Sequence, residues 1–237
     1  MKRKLNSYVL ACIFIGLIPF QLIAQRESKN FREFQAKSYY FGLTLGYNQS
    51  NFQLLRSGKF ILNDSFNVAE GLAGRGLNVS MVTNMKLGKY FDFRFLPGFS
   101  FTGRKILYVT AENKIERVKN FEGVLIQMPF QLRFKSEPFH DMRVFVLSGF
   151  KYTFDVAAQS KIPNGEGNRI IRLSPHDFSV EAGAGCQFFF PFFIFSPEIK
   201  YSQGIGNILI YNGQLTPSSV IEKLISHAFT LSFNFEG

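Results

Sequence analysis

The amino-acid sequence predicts an all-β protein, an eight-stranded antiparallel β-barrel that crosses a membrane after a signal peptide has been cleaved. Three observations lead to this fold class. Apolar and polar residues alternate with period two in eight stretches, several of which have the length that a tilted strand needs to cross the hydrocarbon core. Short connections alternate with long ones, as in barrels of the outer membrane.

The first alternating stretch shows the pattern most clearly. Its two faces consist of Tyr39, Phe41, Leu43, Leu45 and Tyr47 on one side and of Tyr40, Gly42, Thr44, Gly46 and Asn48 on the other. Aromatic residues mark both ends of the apolar face, as they do at the two interfaces of a bilayer. We therefore expect the first face to contact lipid and the second to line the lumen.

Seven further stretches repeat this alternation along the chain. They lie near residues 76–87, 91–102, 124–134, 142–154, 178–190, 195–202 and 229–235. Pro97, Pro129 and Pro197 interrupt three of them, and because proline cannot donate a ladder hydrogen bond, we expect bulges at these sites. The alternation resumes in phase after Pro129, which predicts a lost hydrogen bond there and no flipped face.

The lengths of the connections predict how the barrel is oriented in the membrane. Those near residues 88–89, 135–141 and 191–192 are short, and those near 51–75, 103–121, 156–176 and 204–226 are long. Outer-membrane barrels have short periplasmic turns and long extracellular loops, so both termini are expected in the periplasm. Alternation alone also fits a soluble β-sandwich with one phenylalanine core, although a sandwich does not need this rhythm.

Composition agrees with a barrel. The chain has 30 Phe and no Trp, and its mean hydropathy of +0.03 is unremarkable because lipid-facing and lumen-facing residues cancel. Without the leader, which holds three of the 27 basic and none of the 17 acidic residues, the formal charge falls from +10 to +7. Lipid phosphates of an outer leaflet are a sufficient partner for this charge, so no nucleic-acid partner is predicted.

The N-terminus has the pattern of a secretory leader. Lys2, Arg3 and Lys4 precede an apolar stretch that Pro19 breaks, and Ala24 offers a cleavage point. This predicts a signal peptide over residues 1–24, a periplasmic segment over 25–38 and the barrel over 39–237. The run that ends at Cys12 resembles a lipoprotein box only weakly, because most of the apolar stretch follows the cysteine. Cys186 then remains alone and is expected to face lipid.

The lumen is the first candidate site. An eight-stranded barrel has an interior that side chains fill, so the inward residues are not expected to line a pore. A charge in a low-dielectric site must be paired, which predicts a network of salt bridges as a structural plug, with a proton or ligand site as the alternative. The inward charged residues are Asp92, Arg94, Arg133, Arg143, Lys151, Glu181, Glu198 and Lys200.

The outer rim is the second candidate site. Asp155 and Asp177 lie on the inward phase with His176 beside them, and a carboxylate pair with histidine could activate water. Aspartate is also common where strands meet loops, and this is the simpler interpretation. No zinc spacing is present, Gly71 to Gly76 lacks the Lys-Ser/Thr of a phosphate loop, and no cofactor is predicted.

Four segments together resemble one known family. They are Tyr40-Phe-Gly-Leu-Thr-Leu-Gly-Tyr-Asn, Arg94-Phe-Leu-Pro-Gly-Phe-Ser-Phe, Met128-Pro-Phe-Gln-Leu-Arg-Phe-Lys-Ser and Ser196-Pro-Glu-Ile-Lys-Tyr-Ser. In their order, and with the count of eight strands, they are similar to the PorT (SprT) family of Bacteroidota outer-membrane barrels, over roughly Tyr39 to Phe235. The resemblance implies a role in the type IX secretion system, which exports proteases or gliding adhesins, and it implies no catalytic motif.

The leading hypothesis is therefore a non-enzymatic barrel that assists secretion through contacts with other components of that system. A second hypothesis is a surface barrel that binds lipid or host molecules through a basic loop. That loop would hold Arg104, Lys105, Lys114, Arg117 and Lys119 against Glu112 and Glu116. A hydrolase at the outer rim is the third.

Overall fold

The computed structural model describes residue 34 and residues 36–56, 66–110, 116–156, 172–210 and 221–237. Nearly all of these residues lie in antiparallel strands. The strands are β1 (Tyr39–Arg56), β2 (Phe66–Leu72), β3 (Gly74–Lys86), β4 (Phe91–Phe95), β5 (Gly98–Thr110), β6 (Glu116–Lys135), β7 (Met142–Asp155), β8 (Arg172–Leu173), β9 (His176–Phe189), β10 (Ile194–Gly204), β11 (Leu209–Ile210) and β12 (Ile221–Glu236). Among the described residues, no helix is long and apolar enough to cross a membrane.

Eight transmembrane strands close into a ring, as the sequence predicts. Each of β1, β3, β6, β7, β9, β10 and β12 forms one of them, and β4 with β5 forms the eighth. The ring closes because β1 pairs with β12 on one side and with β3 on the other. Two short pairings lie beside the ring, β2 on β5 and β8 on β11.

The strands are strongly slanted. Steps between paired residues lead from Tyr40 through Asn84, Arg94, Gln131, Gly149, Glu181, Ser202 and Ala228 back to β1 at Ser50. One circuit thus advances ten positions along β1, which is the shear of the barrel. For eight strands this shear corresponds to a tilt of about 40°.

The two faces are as predicted. Leu43, Val144 and Phe150 face outward and are more than half exposed, whereas their inward neighbours Thr44, Arg143 and Lys151 are buried. Apolar residues on the outside and polar residues inside invert the arrangement of a soluble sandwich, in which the Phe faces would be buried. The outward residues of the alternating sequence therefore contact lipid, and the inward residues line the lumen.

The expectation of bulges at the three prolines is wrong. Phe95 pairs with Phe130 and Gly98 with Gln127, so no residue is inserted at Pro97. Pro129 and Pro197 also keep the register of their neighbours. Only the proline N–H is missing, and the carbonyls of Pro97 and Pro129 still accept hydrogen bonds from Met81 at 2.9 Å and from Leu96 at 3.1 Å. At Pro129 the face is kept, as predicted.

The predicted long loops are partly strand, which corrects their assignment. β1 continues to Arg56, β5 to Thr110 and β6 begins at Glu116, so the described parts of the segments 51–56 and 103–121 extend the barrel wall. β12 likewise begins at Ile221, inside the predicted loop over 204–226. Alternation weakens beyond the bilayer because the outward face no longer needs apolar residues, and the sequence signal for the strands ends there.

Candidate functional site

All eight predicted lumen charges lie inside the barrel. Asp92, Arg94 and Arg133 are fully buried, and the exposed fraction is 1% for Glu198. Arg143, Lys151, Glu181 and Lys200 are buried as well, with exposed fractions of 5–8%. Each lies on the inward phase of its strand, and the closure of the ring brings these inward charges into one enclosed space.

The centre of the network is a pair of arginines between two glutamates. Arg94 donates to Glu198 at 2.9 Å and to Glu236 at 2.7 Å. Arg133 lies 3.3 Å from Glu236 and 3.7 Å from Glu198. Lys200 approaches the second oxygen of Glu198 at 2.8 Å. The strands β4, β6, β10 and β12, which are far apart in the sequence, are thereby tied across the lumen.

Lys135 and Glu236 were not among the predicted network residues. Lys135 pairs with Asp92, and Glu236 also accepts from Gln187 at 3.2 Å. Both residues lie at strand ends, where each continues the inward phase of its strand, Gln131 and Arg133 before Lys135, and Ser232 and Asn234 before Glu236. Extending the alternation by one step in each strand would have found them.

Aromatic residues close the turn side of the lumen. Phe34, Tyr40, Phe189 and Ile194 form a buried cluster, and the ring centroids of Phe34 and Phe189 are 6.4 Å apart. The guanidinium of Arg143 lies 5.1 Å above the ring of Phe189. Phe34 precedes the first strand, so a residue of the predicted N-terminal segment caps this end of the barrel.

A second ionic group lies nearer the loop side. Glu181 binds Lys151 at 3.0 Å and accepts from Gln131 at 2.9 Å, while Lys151 also donates to Ser202 at 3.0 Å. Gly183 and Gly185 face inward on β9, where a Cβ at Gly185 would lie 2.6 Å from the Phe145 ring. These glycines give the bulky groups of neighbouring strands the room to meet.

The loop-side half holds small polar side chains and small cavities. One cavity of about 20 Å³ is lined by residues such as Asn48, Thr153, Ser179 and Ser226. Another of about 20 Å³ lies deeper, beside Ser80, Lys200 and Ser232. Each has room for about one water molecule. Buried side chains of all eight strands therefore occupy most of the space between these two cavities and the turn side.

An apolar cover lies over these cavities. Phe52 and Leu224 are buried at the loop-side ends of their strands, and Ile208 and Leu209 from the β10–β12 connection are buried as well. Ile208 donates its backbone N–H to Leu224 at 3.0 Å, and the Asn207 side chain accepts from both Leu209 and Leu224. The lumen is thus capped by apolar groups at both ends.

The outer-rim residues do not assemble as a catalytic group. His176 and Asp177 are neighbours in β9, so their side chains lie on opposite faces of the wall. His176 bonds Tyr152 Oη through Nδ1 at 2.6 Å on the outside, whereas Asp177 accepts from Ser226 on the inside. Asp155 is half-buried beside Gly123. Among the described residues, no group of His, Cys, Asp and Glu is placed to hold a metal ion.

Four basic residues of the predicted basic loop lie in strands. Arg104 and Lys105 lie in β5 and Arg117 and Lys119 lie in β6, where Lys105 pairs with Asn120. Lys114 and Glu112 lie outside the described residues. The described part of this segment is paired strand, which corrects the predicted long loop.

Comparison with known proteins assigns the family. Residues 23–209 match the outer membrane protein beta-barrel domain family, which is most of the chain. The chain belongs to this family. It is an outer-membrane β-barrel protein, and its filled lumen and lipid-facing aromatic surface agree with that assignment. A search of curated proteins finds no match.

Solved structures of other outer-membrane barrels resemble the chain distantly. OprG from Pseudomonas aeruginosa is 11% identical, with 84% of this chain and 93% of that chain covered and a TM-score of 0.44. Ail from Yersinia pestis, solved with a heparin analogue, is 11% identical, with 85% and 100% covered and a TM-score of 0.37. The NalP translocator domain from Neisseria meningitidis is 8% identical, with 97% of each chain covered and a TM-score of 0.37.

Proposed function

We propose that this protein is a non-enzymatic assembly or accessory component of a type IX secretion system and that it works through contacts with other subunits. The observation that carries the proposal is the filled lumen, in which Arg94, Arg133, Glu198 and Glu236 interlock across the barrel. A barrel packed in this way cannot conduct a folded protein. The resemblance to the PorT family supports the secretion role.

The proposed orientation places both termini and the short turns in the periplasm. Its support is the difference between the two barrel ends, since strands such as β6 extend far past the lipid-facing surface on the loop side only. Extended walls and long connections are typical of the extracellular end of such barrels. In this orientation Phe34 and its cluster face the periplasm. Outer-membrane lipid and other secretion subunits are the proposed partners, with no nucleic acid and no cofactor.

Deletion of the gene tests the secretion role. The expected result is that cargo of the type IX system accumulates in the periplasm, and that the wild-type chain restores export. Complementation with Leu43→Arg, whose membrane insertion should be impaired, is the matched negative control. Normal export together with altered surface adhesion would contradict the proposal and favour a surface-binding barrel.

Planar bilayers test the contact mechanism separately. The purified protein should show no large stable conductance, because two caps and the ion pairs between them fill the lumen. A reproducible conductance of nanometre scale would contradict the closed lumen, whatever the secretion phenotype.

A further inference from the structure

The lipid-facing surface does not have the same height all round the barrel. On the loop side, the uninterrupted run of outward apolar residues within the strands ends at Phe101, Val124, Phe154 and Phe178 on β5, β6, β7 and β9, but at Tyr201, Phe229, Tyr47 and Leu77 on β10, β12, β1 and β3. Above this interruption Ile205 and Leu55 are again apolar and exposed. The shear of ten residues over eight strands allows these heights to be compared. The uninterrupted apolar surface on β10, β12, β1 and β3 then ends about two and a half residues lower than on the other four strands, which is about 6 Å at this tilt.

Polar side chains occupy the difference in height. They face outward on four adjacent strands, where Gln49 pairs with Arg75, Asn51 pairs with His227 and His227 pairs with Gln203. Arg75 and Gln49 are exposed, and the other three are half-buried. We call this group, Arg75, Gln49, Asn51, His227 and Gln203, the polar notch. At the same height the opposite wall still presents phenylalanine to the bilayer.

The polar notch offers mainly hydrogen-bond donors. Asn51 Oδ1 accepts from the backbone N–H of Phe52 at 2.8 Å, and Gln203 Oε1 accepts from Tyr201 Oη at 2.7 Å. With both oxygens engaged, the two amides have N–H groups to offer outward. Arg75 adds a permanent positive charge, and none of the five residues is acidic. Such a set fits an anion, since guanidinium and amide N–H groups bind phosphate oxygens well.

We propose that the polar notch binds the phosphorylated headgroup of a glycolipid of the outer leaflet, with the acyl chains lying on the apolar surface below. The position favours a lipid, because Tyr47, Leu77 and Phe229 lie directly beneath the notch on the same outward face. A headgroup phosphate would meet Arg75, and sugar hydroxyls would meet the amides. The proposal rests on the outer-membrane location and on the proposed orientation, and it is independent of the secretion role.

Native mass spectrometry of the full mature chain with diphosphorylated lipid A in detergent tests this. Arg75→Gln combined with Gln49→Leu should lower lipid retention at least fivefold, and Arg75→Lys should retain most of it. Lys89→Gln is the matched control, because it also removes one exposed positive charge but lies in a turn at the other end. Equal retention by the double variant and the wild type would overturn the proposal.

Two further comparisons identify the ligand. The same glycolipid without phosphates should be retained several-fold less by the wild type, and equal retention would contradict phosphate recognition. If the double variant keeps its lipid but loses a co-purifying membrane protein, the notch docks a protein and the proposal is wrong. Heat-modifiable gel migration shows that each variant is folded. Secretion is assayed in parallel, so loss of export with unchanged lipid retention would concern the secretion role alone.

Discussion

The two halves of the lumen are built from different chemistry. On the turn side, long charged side chains and aromatic rings leave little freedom, and Arg94, Arg133 and Glu198 are completely enclosed. On the loop side, short residues such as Ser202 and Thr153 surround cavities of about 20 Å³. A buried charge needs its partner, whereas a small hydroxyl beside a cavity can exchange its partner for water. We infer that the turn side holds the barrel together and that the loop side tolerates change.

The largest expected effect tests the turn-side half. Glu198→Gln removes the charge that faces Arg94 at 2.9 Å and Lys200 at 2.8 Å. Loss of one partner from a buried ion pair costs about 3–5 kcal/mol. Urea unfolding in lipid vesicles, followed by gel migration of unheated samples because the chain has no Trp, should show a much lower midpoint.

Ser202→Ala is the loop-side counterpart of that change. It removes one hydrogen bond from Lys151, which keeps its ion pair to Glu181 at 3.0 Å. A loss of about 1 kcal/mol is expected for such a bond. If Ser202→Ala destabilises the barrel as much as Glu198→Gln does, the inferred difference in tolerance between the two halves is wrong.

The second prediction compares the outer surface with the loop-side lumen. Val144→Arg places a charge in the hydrocarbon region, which costs about 2–4 kcal/mol near mid-depth. Thr153→Arg places the same charge beside a polar cavity that Asp177 also lines, so we expect a smaller loss. Heat-modifiable migration after folding into vesicles measures both. Equal loss of folding by the two variants would mean that an arginine is tolerated no better in the loop-side lumen than on the lipid-facing surface.

The sequence predicts the phase of these strands far better than it predicts their partners. Period two is a local property, and it placed Arg94 and Glu198 in the lumen without knowledge of the fold. Their contact depends on the shear, which is set by hydrogen bonds round the whole ring and leaves no local trace. Lys135 and Glu236 were not predicted because they lie at strand ends, where no further lipid-facing residue follows to show that the alternation continues.

The ends of the barrel show the same limit. Phe34 lies before the first predicted strand, and Ile208 lies within a predicted loop, so neither has a periodic context that would predict burial. Both are positioned by tertiary contacts alone. The rim residues His176 and Asp177 show the reverse case, since the alternation already implied that neighbours in a strand cannot share a face.

A third, smaller effect concerns the rim acids. Asp155→Asn together with Asp177→Asn should leave folding and secretion nearly unchanged, because both residues are half-buried at the loop-side boundary. A change of about 1 kcal/mol or less is expected in the unfolding assay. Loss of export by a variant that still inserts would give the rim a functional role and would make the loop-side half less tolerant than we infer.

The smallest effect is expected outside the lumen, where an exposed ion pair joins two turns. Lys89 donates to Glu137 at 2.6 Å, and both side chains are largely exposed. The hydrogen bond from Lys89 lowers the pKa of Glu137, and the hydrogen bond to Glu137 raises the pKa of Lys89. The contribution of the Glu137 carboxylate to stability is present above its pKa in the unfolded state, and it is lost as the pH falls through its lowered pKa in the folded state. The contribution of the Lys89 ammonium to stability is present below its pKa in the unfolded state, and it is lost as the pH rises through its raised pKa in the folded state.

Because water and salt screen such a pair, Glu137→Gln should not move the urea midpoint measurably at neutral pH. Because the contribution of this pair is so small, acidification should not measurably change the difference between the midpoints of the variant and the wild type. If Glu137→Gln lowers the midpoint as much as Glu198→Gln does, the short turns stabilise the barrel as strongly as its buried ion pairs.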